Sequence, residues 1–224
     1  MHPLLELDKD ITLFINGSDS LMWDGVIYAA TQTITWIPVG LLLLYLVYQQ
    51  GGWKSLLMVL AMILLGILIS DQLSSSIVKP LTQRYRPTQN PQLMYLVDVV
   101  NNYRGGQYGF FSAHASNTFT VAVFLSLLFR HRLAGCLLIS WAALNGYTRI
   151  YLGVHYFGDV LVGTLIGIVI GFGLYKFMMY KMPQYLPHAV SEELTPSGFS
   201  CRKMYMLSTC ILLNYILLFI IPFV

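Results

Sequence analysis

From Gly25 to Trp53 the chain carries no Asp, Glu, Lys or Arg. The core of that run, Val26 to Tyr48, exceeds the roughly 20 apolar residues a helix needs to cross a bilayer. It predicts a first membrane span and sets the class of the whole chain. With 56% apolar and 10% charged residues over 224 positions, the sequence lies outside the soluble class. The expected architecture is all-α: one polytopic membrane domain over residues 1–224, with six transmembrane helices and an amphipathic N-terminal helix. A formal charge of +3, scattered along the chain, does not suit nucleic acid, which needs a concentrated basic face.

Residues 3–16 set Leu4, Leu5, Leu7, Ile11, Leu13 and Phe14 among Glu6, Asp8, Lys9 and Asp10, a pattern too short and too charged to span. An interfacial helix is expected there. After the first span at 26–48, a second is expected at 53–78, opening on Trp53 and Lys54 and turning polar at Asp71, Gln72 and Ser74 to Ser76. Its far end should therefore face protein or water. Further spans are expected at 113–129, closed by Arg130-His131-Arg132, then at 133–151 and 159–176. The last, at 204–224, follows a loop with Pro183, Pro187, Glu192, Glu193 and Pro196. The fifth carries Gly163, Gly167 and Gly171 at four-residue spacing, a face that lets membrane helices approach closely. Packing inside the molecule is the expected use, with homodimerisation the lesser alternative.

Six spans put both termini on one side. Alternating loops place Lys54, Arg130, Arg132, Lys176, Lys181, Arg202 and Lys203 on one side, and Lys9, Lys79, Arg84, Arg86, Arg104 and Arg149 on the other. Several of the second group form a dense cluster with a chemical purpose, and Glu6, Asp8, Asp10, Asp19, Asp24 and Asp98 share their side. The first side is thus expected to be cytoplasmic and the cluster to face outward. The N-terminus lacks the basic region of a cleavable signal and is expected to be retained. Cys136, Cys201 and Cys210 show no metal or redox spacing and are expected to be structural.

Three groups fall on the outward side: Lys79 to Pro87, Ser112 to Ser116, and Arg149 to Asp159. Together they pool cations, His114 and His155, a hydroxyl and one carboxylate, which suits a phosphate ester. Lys79, Arg86 and Arg149 would hold the anion, the arginines through planar forks. If Ser112-Ala113-His114 opens a helix, the Ser112 hydroxyl and free backbone N–H groups also face it, and small Ala113 permits close approach. A neutral His155 can attack phosphorus while Asp159, four residues on, holds its other nitrogen. His114 would protonate the leaving alkoxide. No metal and no cofactor are expected, because the cluster has one firm carboxylate and many cations that would repel a divalent ion.

These residues resemble the type 2 phosphatidic acid phosphatase superfamily, whose motifs are Lys-x6-Arg-Pro, Pro-Ser-Gly-His and Ser-Arg-x5-His-x3-Asp. Lys79 to Pro87 fits the first in full. Phe111-Ser112-Ala113-His114 fits the second with Phe for Pro and Ala for Gly, and Thr148 to Asp159 fits the third with Thr for Ser. The resemblance implies that Lys79, Arg86, Ser112 and Arg149 bind phosphate, that His114 is the acid and His155 the phosphohistidine nucleophile, and that Asp159 orients it. It also implies a lipid phosphate substrate, such as undecaprenyl diphosphate, the phosphate of lipid A or phosphatidylglycerol phosphate, and an inner-membrane enzyme of a bacterial envelope with a periplasmic site. The alternatives are a lipid-phosphate transporter or flippase without hydrolysis and a vanadate-dependent haloperoxidase-like enzyme. Against the first stands the lack of an inverted repeat or of paired broken helices. Against the second stand the six spans, since those enzymes are soluble.

Arg84 and Arg104 read equally well as head-group anchors. Asp71 is expected only to support Lys79 or a neighbouring helix, and His2, His131 and His188 to be incidental. The apolar segment between Pro80 and Phe111, with Leu93 to Val97, Val99 and Val100, is either a lipid guide lying in the interface or a loop packed over the bundle.

Overall fold

The computed structural model describes residues 3–185, 187 and 193–220. His2, His188, Glu192 and the last four residues of the expected sixth span lie outside the described residues. Helices α1 (Pro3–Ile15), α2 (Leu21–Thr31) and α3 (Thr33–Asp71) open the chain, and α3 continues through a π-helical stretch (Gln72–Val78) into α4 (Lys79–Thr82). Then come α5 (Ala113–Phe129), α6 (Arg132–Tyr151), α7 (Phe157–Lys181) and α8 (Cys201–Leu218). Among the described residues β structure is confined to two isolated bridges, Tyr85 with Tyr108 and Leu194 with Ser200. The fold is all-helical, as expected.

The helix expected across 26–48 is two helices. Gln32 takes an extended conformation between α2 and α3, within the alternating β-branched run Thr31, Thr33, Ile34, Thr35, which favours helix weakly. The carbonyls freed by the break are taken up locally: Thr35 Oγ1 donates to the Ala29 carbonyl and Trp36 Nε1 to that of Ala30, each at 2.8 Å. The gap expected near residues 49–52 is not a loop but a corner. Gly52 leaves helical geometry at φ 70°, a value suited to glycine, and turns the chain back on itself. Two stretches are long and apolar enough to cross a membrane on their own, Thr33–Thr82 and Phe157–Lys181.

The contacts define two ends of the bundle. At one, Thr31, Arg149 and Tyr103 meet through hydrogen bonds. At the other, Gln50 donates to the Gly198 carbonyl and Phe129 stacks edge-on against Phe199 at 5.0 Å. Between them a core that includes Leu43, Val47, Phe124, Leu128, Leu207 and Ile211 fills the space among α3, α5, α6 and α8. Large apolar side chains such as Leu41, Leu64, Leu68 and Val169 point outward, as a lipid-facing surface requires. The three cysteines are unpaired.

The glycines of α7 pack inside the molecule. A Cβ at Gly163, Gly167 or Gly171 would lie 2.5, 2.5 or 2.6 Å from the carbonyl oxygens of Ser112, Ser116 and Thr120 on α5. Backbone meets backbone along this line, which also lets Thr120 Oγ1 donate to the Gly167 carbonyl at 3.3 Å. Gly167→Val should therefore cost about 1–3 kcal/mol through overpacking and lower the melting temperature of detergent-solubilised protein. Gly173→Ala, where a Cβ meets nothing within 4 Å, should leave it unchanged. Equal melting of all three proteins would refute this packing.

Candidate active site

All three sequence groups converge at one end of the bundle. Ser112 caps α5, its Oγ accepting from the Ala115 N–H at 3.4 Å, while its own N–H donates to the Asp159 carbonyl at 3.0 Å. The backbone N–H groups of Ala113 and His114 have no acceptor among the described residues, so the first turn of α5 presents free donors. Ser74 Oγ, in the π-helical stretch, ties down the Phe111 carbonyl just before this turn at 2.9 Å.

The chain leaves α6 at Tyr151 and folds back so that the Val154 and His155 N–H groups both donate to the Arg149 carbonyl at 3.1 Å. This turn puts His155 Nδ1 3.4 Å from Asp159 Oδ2, a long contact, and the same oxygen accepts the Tyr156 N–H at 3.1 Å. Both side chains are buried. On the other side of the ring an Arg86 Nη donates to Nε2 at 3.1 Å. A guanidinium can only donate, so Nε2 bears the lone pair and the proton sits on Nδ1, facing Asp159. Burial first, and then Arg86, Arg149, Lys79 and His114, hold the imidazole well below its usual pKa. His155 is therefore a neutral imidazole with its lone pair toward the cations.

Those cations are held by neutral groups. Arg86 donates to the carbonyls of Tyr108 and Val154 at 3.2 and 3.1 Å. Arg149, buried, donates to Thr31 Oγ1 and Tyr103 Oη, each at 2.9 Å, and its Nε has no partner among the described residues. Burial and the neighbouring Arg149 both act against the charge of Arg86, while Arg149 makes the Tyr103 phenol more acidic than usual despite its burial. Two like charges crowded together and paired only with dipoles favour an anion between them. Lys79 stands within electrostatic reach of both arginines and makes no side-chain hydrogen bond among the described residues. Asp71, expected to support it, also lies within its field and accepts from Ser75 at 3.3 Å. His114 Nε2 lies 3.2 Å from Asn145 Oδ1, whose amide is oriented by Nδ2 donating to the Trp141 carbonyl at 2.9 Å. That geometry puts the Nε2 proton toward Asn145 and leaves Nδ1 free to exchange a proton.

Several residues here carry no motif signal. Tyr103, Asn145 and Thr31 reach the site only through tertiary contact, and Thr31 does so because the chain breaks at Gln32. Gly109 is another: a Cβ there would lie 2.9 Å from Asp159 Oδ2 and 3.5 Å from His155 Nδ1. Arg84 is not a head-group anchor. Its two terminal nitrogens bridge Asp159 Oδ1 at 2.7 Å and Asp8 Oδ2 at 2.6 Å. Arg104 binds the Thr88 carbonyl at 3.3 Å. The apolar loop divides between both expectations: Leu93, Val97 and Val100 are buried, while Tyr95 and Leu96 are exposed.

Residues 56–183 match the PAP2 superfamily. The chain is 33% identical over 216 residues to a lipid A 4'-phosphatase of Porphyromonas gingivalis, covering 96% of this chain and 91% of that one. It is 40% identical over 183 residues to a lipid A 4'-phosphatase of Bacteroides thetaiotaomicron, covering 80% of each. A shorter match, 38% over 60 residues, links it to the undecaprenyl-diphosphatase BcrC of Bacillus subtilis, covering 27% of this chain and 31% of that one. No solved structure matches the chain.

The depressed pKa of His155 has a thermodynamic consequence. Below the ordinary value of 6.5 the unfolded chain takes up a proton at His155 that the folded protein refuses, so stability falls with pH from about 6.5 downward. Above that value both states are neutral and the residue contributes no pH dependence. His155→Gln should therefore lose less melting temperature than the parent between pH 7.5 and pH 5.5; an equal or larger loss would contradict a neutral buried imidazole.

Proposed function

The chain belongs to the PAP2 superfamily, and from that membership we propose a membrane phosphatase that removes a phosphate of lipid A type, an ester on a lipid-bearing sugar. The observation that carries the chemistry is the neutral His155, held between Asp159 and Arg86 with its Nε2 lone pair aimed into a cluster of cations. The choice of lipid rests on the two relatives aligned along most of their length, both lipid A 4'-phosphatases; the undecaprenyl-diphosphatase matches only a short central segment.

In this reading the phosphate dianion enters between Arg86, Arg149 and Lys79, and its oxygens take the Ala113 and His114 N–H groups. Arg86 releases Nε2 as it turns to the anion. His155 Nε2 then forms a bond to phosphorus while the bond to the lipid alkoxide breaks, and His114, made cationic beside the dianion, gives that alkoxide its proton. Asp159 stabilises the charge that develops on the His155 ring. Water, losing its proton to the now neutral His114, next cleaves the phosphorus–nitrogen bond and releases inorganic phosphate. The cations stabilise the charge on the transferring phosphoryl group in both transition states. No step calls on a metal.

The six helical rods α3 before Gly52, α3 after Gly52, α5, α6, α7 and α8 are proposed as the six spans, with the site at the periplasmic face and Arg130 and Arg132 at the cytoplasmic one. The two stretches apolar and long enough to span and the lipid substrates in the relatives' names support this arrangement, as does the placement of the two basic groups at opposite ends of the bundle. Tyr95 and Leu96 then lie at the membrane surface beside the site.

Purified protein should release inorganic phosphate from a lipid A preparation faster than from undecaprenyl diphosphate, with no loss after chelation by EDTA. His155→Ala should lower the rate by about a thousandfold or more. Undiminished release by that variant would remove His155 from the mechanism, and loss with EDTA restored by zinc or magnesium would remove the metal-free reading. Replacing Tyr95 and Leu96 with Ser should raise KM for a long-chain substrate more than for a short soluble phosphate ester; equal effects would eliminate a guiding role for this loop.

A further inference from the structure

Asp8, Thr12 and Asn16 recur every four residues and so share one face at and just beyond α1. That face is largely taken up by protein: Thr12 is buried and Asp8 and Asn16 are half-buried. Asp8 Oδ1 accepts the Gly158 N–H at 2.6 Å, Thr12 Oγ1 accepts the Phe157 N–H at 3.0 Å, and Asn16 Nδ2 donates to the Tyr151 carbonyl at 2.8 Å. The polar stripe is thus docked along residues 151–158, the segment that carries the nucleophile. It also supplies a charge. The Arg84 guanidinium, stacked 4.1 Å from the Tyr156 ring, donates from one nitrogen to Asp8 and from the other to Asp159. Burial opposes the Arg84 charge, but Asp159 and Asp8 outweigh it and raise its pKa.

We propose that Arg84 and Asp8 are positioning residues for catalysis: the sequence of contacts Asp8–Arg84–Asp159–His155 fixes the carboxylate that aims the nucleophile, and makes the N-terminal helix part of the active site. This rests on the assignment of His155 as nucleophile. Asp159 has two oxygens to satisfy. Oδ2 serves His155 Nδ1 and the Tyr156 amide, and Oδ1 is left for Arg84. Without Arg84 the buried carboxylate would lose its strongest partner and rotate or shift to find another, carrying the imidazole off the line to phosphorus. Arg84 in turn can hold both carboxylates only because α1 presents Asp8, and Asp8 is itself held by the Gly158 amide. Arg84 spends its charge on acids, whereas Arg86 and Arg149 spend theirs on neutral acceptors, so Arg84 is not a phosphate ligand.

The test separates orientation from anion binding. In Arg84→Gln, kcat should fall by up to about a hundredfold, the scale of a misaligned reacting group, while KM and the inhibition constant of inorganic phosphate stay within about threefold of the parent. Asp8→Asn should move kcat the same way by less, and the double variant should be no slower than Arg84→Gln alone, because both act through one contact chain. A phosphate inhibition constant that rises in step with the loss of kcat would make Arg84 an anion ligand and overturn the proposal. So would an unchanged kcat, or effects of the two substitutions that multiply. If Arg84→Gln does not elute as a monodisperse protein, Asp8→Asn decides on the same two constants. Failure of the underlying assignment would show separately, as phosphate release by His155→Ala at the parent rate.

Discussion

The hydrogen bond from the Ser112 amide to the Asp159 carbonyl, 3.0 Å long, joins the two halves of the site at the point where α5 and α7 begin. Its partners are brought there by backbone contact below, where Gly163, Gly167 and Gly171 meet the carbonyls of α5 with no side chain between them. Helices separated by ordinary side chains stand about 8–10 Å apart. This backbone contact therefore draws the first turn of α5 toward the start of α7, and with it toward His155, more closely than larger residues would allow. The glycine stripe, which by itself says only that two helices are close, therefore sets the gap in which a phosphate would sit.

Charge is arranged around that gap by a division of labour among arginines. Three of them converge, which in a buried setting should be mutually repulsive. Arg84 is neutralised by Asp8 and Asp159 and becomes scaffold. Arg86 and Arg149 are oriented by carbonyls, a hydroxyl and a phenol, which fix a guanidinium without cancelling its charge. The net positive potential thus falls where Nε2 of His155 points. Burial and the same potential keep that imidazole unprotonated, so the groups that would attract an anion also keep the proposed nucleophile neutral.

What could be foreseen from residues alone follows from how far apart the interacting groups lie along the chain. His155 and Asp159 are one helical turn apart, and Ser112 to His114 opens a helix, so spacing carries their geometry. The glycine stripe announces itself by its period. By contrast, Arg84 meets Asp8 across 76 positions and Arg149 meets Thr31 across 118, and no local pattern encodes such pairings. The break at Gln32 was hidden by apolar composition, which registers a span without registering that β-branched Thr31, Thr33 and Thr35 loosen its first turns. The Asp8, Thr12, Asn16 period was available in the sequence, but an interfacial helix with a polar face explains the same residues without any partner.

That partner changes what α1 does. An interfacial helix of a membrane protein would be expected to turn its polar face to water and its apolar face to lipid. Here the polar face is taken up by the segment that bears His155, while Leu4, Leu5, Leu7 and Phe14 remain exposed. The helix therefore touches the segment that bears His155 and offers exposed apolar side chains of the kind an interfacial helix turns to a bilayer. With α1 at the membrane surface, its depth and the setting of Arg84 would be coupled, because Asp8 lies on the same helix as those Leu and Phe side chains. A lipid phosphatase needs its phosphate site at a fixed height relative to the head groups, and the ion pairs through Arg84 would tie that height to the aim of the proposed nucleophile, His155.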